Sequence, residues 1–194
     1  MSKRALRVQD AAAYLLHSAP WRETSLIVQV FSREHGVVAL AAKGAKRPYS
    51  VLRPVLSAFQ PLLLSWSGAG EVKTLTRAEC AGIHALSGRA FMSAWYMNEL
   101  LLRLLPREDP HPVLYDAYDE ALRQLASQQS AASALRRFEW VLLNETGYGV
   151  SEAPPDFNDA QAEPALRQAL RARLGELLGR PLLTRKVLME LQRY

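Results

Sequence analysis

Lys43, Lys46, Arg47 and Arg53, with Tyr49 among them, place four cations and one aromatic ring in the stretch Ala41-Ala42-Lys43-Gly44-Ala45-Lys46-Arg47-Pro48-Tyr49-Ser50-Val51-Leu52-Arg53-Pro54, and no acid interrupts them. Cations at this spacing can neutralise successive phosphates, Gly44 would allow close backbone approach, and the Tyr49 ring offers a face on which an unpaired base could stack. A solvated loop also collects lysine and arginine, so composition alone leaves both readings open. Other chemistry is poorly supplied. Cys80 is the single cysteine, and His17, His35, His84 and His111 are scattered without ligand spacing, which argues against zinc. Gly36, Gly44, Gly68 and Gly70 form neither a phosphate-binding loop nor a dinucleotide fingerprint, and no serine sits in a nucleophile-elbow context. The acidic pairs Glu108-Asp109 and Asp119-Glu120 read as surface, because a metal nuclease would need its carboxylates converging from adjacent elements. The residues point away from catalysis and towards binding, with no cofactor.

Charge is distributed in blocks. Residues 1–80 carry 11 Lys and Arg against 5 Asp and Glu, residues 81–163 carry 6 against 12, and residues 164–194 carry 7 against 2. The chain is therefore basic, then acidic, then basic, and its basic front suits a polyanion. Its 194 residues and 49% hydrophobic content suffice for a core. No apolar run approaches the roughly 20 residues of a membrane span, and the N-terminal residues lack a targeting pattern, so the expected location is cytoplasmic.

The elements that must hold the basic stretch read as strands. Leu26 to Phe31 is β-branched and aromatic, Ser32-Arg33-Glu34-His35-Gly36 is a turn, and Val37 to Lys43 is a second strand. Phe59 to Trp66, a turn at Ser67-Gly68-Ala69-Gly70, and the alternating Glu71 to Arg77 form another hairpin. Val8 to His17 reads as a strand, although Ala11-Ala12-Ala13 favours helix. Five short strands predict a small closed barrel, an OB-fold with an SH3-like barrel as the alternative. Lys73 and Arg77 are expected to share a face with Leu75 and border the groove begun by the loop, with Trp21 and Arg22 at its rim. Trp66 is expected in the core.

From Gly88 the period becomes helical. Phe91, Ala94, Trp95, Asn98, Leu101, Leu102 and Leu105 predict one helix ending at Pro106. Pro112 opens a second, Ser130 caps a third that carries Leu135, Phe138, Val141 and Leu142, and Pro164 opens a fourth that ends at Gly179. Thr184 is expected to cap a last short helix. The glycines and prolines from Gly147 to Asp156 mark a break. The fold class is α+β in two domains: residues 1–80 a five-stranded OB-fold barrel, residues 81–194 an all-α domain, with the break at about 147–163.

Several segments in order, Pro20-Trp21-Arg22-Glu23-Thr24-Ser25-Leu26, Ala42-Lys43-Gly44-Ala45, Gly70-Glu71-Val72-Lys73-Thr74-Leu75, Asn98-Glu99-Leu100-Leu101, Ala134-Leu135-Arg136-Arg137-Phe138-Glu139, Gly147-Tyr148-Gly149-Val150 and Leu178-Gly179-Arg180-Pro181-Leu182, resemble the bacterial RecO family of DNA repair and recombination mediators. The resemblance implies binding of single- and double-stranded DNA, annealing of complementary strands, and help in loading recombinase onto strands coated by single-strand-binding protein. It implies no catalysis, a nucleoid-associated location, and RecR and RecF as further partners. It also implies that Arg136, beside Arg137 and Phe138, belongs to a pocket for the acidic, hydrophobic tail of single-strand-binding protein. In the family a longer insertion, sometimes with zinc-binding cysteines, usually follows Gly147-Tyr148-Gly149-Val150. Only a short Pro-rich stretch stands here, so zinc does not carry over. The alternative reading is an RNA-binding OB-fold adaptor without a repair role, because a cationic groove can hold either polymer. The candidate DNA-binding residues are Arg22, Lys43, Lys46, Arg47, Tyr49, Arg53, Lys73 and Arg77; the candidate partner-binding residues are Arg136 and Arg137.

Overall fold

The computed structural model describes residues 6–127, 130–149 and 153–184. Five strands come first: β1 (Leu6–Trp21), β2 (Ser25–Ser32), β3 (Gly36–Ala42), β4 (Pro61–Gly68) and β5 (Val72–Cys80). They close into a barrel in the order β1-β2-β3-β5-β4, all neighbours antiparallel except β3 and β5. This is the OB-fold order of a five-stranded barrel, and it selects between the two barrels the strand count allowed. Alternate residues of each strand fill the interior, among them Leu15, Val28, Val30, Val38, Leu40, Leu62, Leu64, Trp66 and Leu75.

The helix-favouring Ala11-Ala12-Ala13 is strand because all three pair with β4, opposite Leu64, Leu63 and Leu62, and Ala13 also begins the pairing with β2, opposite Ser32. Two ladders of hydrogen bonds outweigh an intrinsic preference of a few tenths of a kcal/mol per residue. Shifts of register at Val8/Ala11 and Leu15/His17 bend this long strand between its two neighbours. The fourth strand starts at Pro61 rather than at Phe59, because Phe59 is buried with φ +66°, outside the β region.

The chain divides into two compact units, one of residues 1–84 with 106–112, the other of 85–105 with 113–194. The barrel unit runs to His84 because that residue is tied down: its N–H donates to the Gln60 amide oxygen at 2.7 Å, its carbonyl accepts from the Gln60 amide nitrogen at 3.1 Å, and its ring lies 3.0 Å from the Tyr14 hydroxyl. Residues 106–112 belong there too, since the Glu108 N–H donates to the Val37 carbonyl at 3.0 Å and the Glu108 carboxylate pairs with Lys73.

The second unit holds α1 (Arg89–Leu104), α2 (Pro112–Ala126), α3 (Ala131–Glu145) and α4 (Glu163–Leu178). Ser130 caps α3, its hydroxyl accepting from the Ser133 N–H at 3.3 Å, and Gly179 closes α4 with φ +60°. The buried stripe of α1 is Ala94, Met97, Asn98, Leu100 and Leu101, while Phe91 and Trp95 are 44% and 40% exposed. The face expected from the sequence is thus rotated. Its anchor is polar, Asn98 accepting a hydrogen bond at 2.6 Å from the buried Tyr118 hydroxyl. The last helix expected from Thr184 lies outside the described residues. Among the described residues no helix is long and apolar enough to cross a membrane, and no cluster of three or more His, Cys, Asp or Glu could hold a metal ion.

Candidate nucleic-acid and partner-binding sites

The basic loop is pinned to the barrel. Ala45 is buried at its start, and Leu52, Val55 and Leu56 pack on the barrel core from its far end. Between these anchors the Lys46 N–H donates to the Thr24 carbonyl at 2.9 Å and the Gly44 N–H to the Ser25 hydroxyl at 3.4 Å, while a chain of tight turns links Gly44 to Arg47, Arg47 to Ser50 and Ser50 to Arg53. Apolar anchors inside and turns outside leave Lys43, Lys46, Arg47, Tyr49 and Arg53 exposed. Tyr49 is 97% exposed, so packing does not account for the ring.

Thr24 ends the β1–β2 turn and Ser25 opens β2, so their bonds draw that turn against the loop. A shallow cleft of about 540 Å³ opens where they meet, lined by Trp21, Arg22, Lys43 and Arg47 among others. Arg22, at φ +55°, holds its guanidinium 4.3 Å from the centre of the Trp21 ring. Gly44 has a different role from the one its sequence suggests. It is needed for φ +72°, and the Arg47 side chain lies 3.6 Å from where a Cβ would stand, so this position is covered by the protein's own arginine.

Two expected members are elsewhere. Lys73 is 4% exposed and pairs with Glu108, so it does not border a groove; the carboxylate that holds it comes from residues 106–112, beyond the reach of a strand-by-strand reading. Arg77 is exposed but engaged by Asp10 at 3.5 Å and Glu79 at 2.5 Å, in a cluster where Ser65 also bonds Asp10. Three cations of the expected set therefore line one cleft, three loop residues extend from it, and two are paired with carboxylates of the barrel unit.

In the helical unit Arg136 and Arg137 diverge. Arg137 is exposed, its guanidinium 5.5 Å from the centre of the Phe157 ring. The Arg136 side chain is 8% exposed, pairs with the buried Glu139 at 2.8 Å and with Glu163 at 3.5 Å, and leaves its Nε buried without a hydrogen-bond partner among the described residues. The Tyr96 hydroxyl donates to the same Glu139 oxygen at 2.6 Å. Burial pushes the Glu139 carboxyl above its ordinary range, although Arg136, the Tyr96 hydrogen bond and Arg171 pull the other way. Burial and the adjacent carboxylate together raise Tyr96 well above a free phenol.

Arg136, Tyr96 and Glu139 form one wall of a cavity of about 880 Å³, with Met92, Leu135, Leu174 and Leu178 supplying apolar surface and Arg89, Arg167, Arg171 and Arg180 cationic surface. The segment that closes it, Leu178 to Thr184, is clamped by α1. Arg103 donates to the carbonyls of Leu178, Arg180 and Pro181, and the Glu99 carboxylate accepts from the N–H groups of Leu183 and Thr184 at 2.7 and 2.9 Å. Burial pushes Glu99 up, but those N–H groups, the Thr184 hydroxyl and Arg103 outweigh it and hold the carboxyl below its ordinary value. The clamp joins α1 to residues 178–184 although the two are far apart in sequence.

Two consecutive models of one family, recombination protein O, match this chain, the N-terminal model over residues 7–84 and the C-terminal model over residues 86–153. The chain belongs to the RecO family. The family boundary between residues 84 and 86 coincides with the boundary of the two units at His84. Among curated relatives it is 59% identical over 145 residues to the DNA repair protein RecO of Aromatoleum aromaticum, covering 74% of this chain and 60% of the relative. It is 52% identical over 162 residues to that of an Azoarcus species, covering 83% and 65%, and 58% identical over 143 residues to that of Ralstonia nicotianae, covering 73% and 53%. The chain thus spans a little over half to about two thirds of the length of these RecO relatives.

The cavity's other cations, Arg89, Arg167, Arg171 and Arg180, went unnoticed in the sequence. One signal was available: Arg167 and Arg171 are one helical turn apart, at i and i+4, on a helix whose apolar face was already legible.

Proposed function

We propose that this RecO-family chain is a non-catalytic DNA-binding mediator of repair, with a strand-binding surface on the barrel and a partner-binding cavity in the helical unit. The observation that carries the first surface is the pinned loop. Its backbone is fixed by bonds to Thr24 and Ser25 while Arg22, Lys43 and Arg47 surround one cleft and Lys46, Tyr49 and Arg53 remain free on its outer side. Preorganised cations beside an exposed ring suit an unpaired strand, phosphates meeting the cations and a base stacking on Tyr49. The same surface, being sequence-neutral, accepts duplex and promotes annealing by holding one strand for its complement.

The second surface takes the acidic, hydrophobic tail of single-strand-binding protein, which brings the mediator to coated strands and, with RecR and RecF, favours recombinase loading in the cytoplasm at the nucleoid. Support comes from a cavity that joins an apolar floor to several guanidiniums, a combination that fits a carboxylate next to an apolar side chain. The test is competition and annealing with the full chain. A labelled single-stranded DNA should be displaced by unlabelled DNA at least as well as by RNA of matched sequence, and annealing of coated strands should be blocked by free tail peptide while annealing of bare strands is not. Preferential displacement by RNA would favour the adaptor reading instead.

A further inference from the structure

One cation of the cavity wall is already occupied, since Arg136 is shared between Glu139 and Glu163. Charge recognition by this site therefore needs other groups. Arg167 and Arg171 line the same cavity from one face of α4, both exposed, and neither lies within ion-pair distance of a carboxylate among the described residues, although Arg171 is near enough to Glu139 to favour its charged form. A third residue continues their stripe: Gly175, also on the cavity wall. Glycine inside a helix is unfavourable relative to alanine. Apart from α4's own backbone and Gly175's chain neighbours, no described atom would lie within 4 Å of a Cβ at Gly175, so packing does not demand it, and its φ is outside the left-handed region. A bare patch of helix next to two unpaired guanidiniums leaves room for a second backbone to pass.

We infer that Arg167 and Arg171 read a pair of acidic side chains on an extended peptide that crosses α4 over Gly175, with Arg136 positioned by Glu139 as part of the pocket wall. This rests on the reading that the cavity binds the acidic tail, and it adds which residues of this chain select the acids. The spacing is suitable: one helical turn rises about 5.4 Å, and side chains two apart on an extended peptide are separated by about 6.6 Å. The apolar surface from Met92, Leu135 and Leu174 favours peptide over a nucleic-acid strand, and the one ring there among the described residues, Tyr96, has its hydroxyl committed to Glu139.

The experiment uses the full chain and two synthetic peptides that end in apolar residues and a free carboxylate, one with two acids at i and i+2, the other with the matching amides. Calorimetry should give the acidic peptide about tenfold tighter binding to the parent, and that preference should vanish in Arg167→Gln/Arg171→Gln, with both peptides still bound. Gly175→Phe, which fills the crossing point, should abolish binding of both. If the double variant keeps the preference while Gly175→Phe blocks binding, the cavity reading stands and the α4 assignment is overturned. If the parent binds neither peptide, both fall. A loss of oligonucleotide affinity in the double variant, with peptide binding unchanged, would make α4 part of a strand path and also overturn the inference.

Discussion

Arg136→Met removes the guanidinium that compensates Glu139, which is 3% exposed, and this substitution tests the structural role of Arg136. Removing one partner of a buried ion pair costs about 3–5 kcal/mol. The lower end applies here, because the Tyr96 hydroxyl still donates to Glu139 at 2.6 Å and a carboxyl already pushed upward by burial can take a proton. Glu139→Gln keeps an acceptor for Tyr96 and leaves Arg136 with Glu163, so it should cost about 1–2 kcal/mol. The double variant leaves a neutral amide bonded to Tyr96 and should be more stable than Arg136→Met alone, a coupling of about 2 kcal/mol. The pH dependence has a definite sign. A carboxyl raised in the folded state contributes stability that is full below its ordinary value of 4.5 and is lost as pH rises through the folded pKa. Without Arg136 that pKa moves further up, so Arg136→Met should destabilise less at about pH 5 than at about pH 8. Urea denaturation followed by the helical circular dichroism signal measures both effects. Additive single-variant costs, or an equal loss at both pH values, would refute the buried-pair account.

Three further outcomes follow from the same geometry. Gly36→Ala should destabilise the barrel by about 2 kcal/mol or more, since alanine is strained at φ +65° and its Cβ would collide with the Asp109 backbone carbonyl; thermal melting reads this directly. Lys73→Met should lower barrel stability by about 1 kcal/mol while leaving the salt dependence of DNA binding unchanged, which a cation in a strand groove would not do. Glu99→Gln should loosen the clamp on residues 178–184: because Glu99 is held below its ordinary value, its contribution is present above about pH 4.5 and fades as pH falls through the folded pKa, so hydrogen exchange at the Leu183 and Thr184 amides should rise above that pH and converge with the parent in acid.

The barrel was legible because β2 to β5 carry their own signals, β-branched runs, glycine turns and alternation, whereas the helix-favouring alanines of β1 are held as strand by their neighbours. The four described helices were legible from their caps, Ser130 and Gly179 among them. The loop's cations were legible as types, but the pairing of Lys73 with Glu108, 35 residues away, and of Arg77 with Asp10, 67 residues away, was not, although Glu79, two residues from Arg77, is its nearer partner. No local pattern encodes such pairings. The rotation of α1 has a similar cause, Asn98 being fixed by Tyr118 on another helix. The helical cavity was readable only in part, because Arg136 and α4 meet through tertiary packing that periodicity does not report.

The central claim is that the pinned loop carries DNA through its phosphates, and the salt dependence of single-strand binding tests it most directly. Fluorescence anisotropy with a labelled oligonucleotide, repeated across salt concentrations, gives the slope of log affinity against log salt. Replacing Lys43, Lys46, Arg47 and Arg53 by alanine should make that slope shallower by roughly 0.7 per lost contact, about 3 in all if each engages a phosphate. Tyr49→Ala should instead weaken binding by about 1–3 kcal/mol with the slope unchanged, as stacking requires. A four-fold variant that binds with the parent's slope would contradict the account, whatever its affinity.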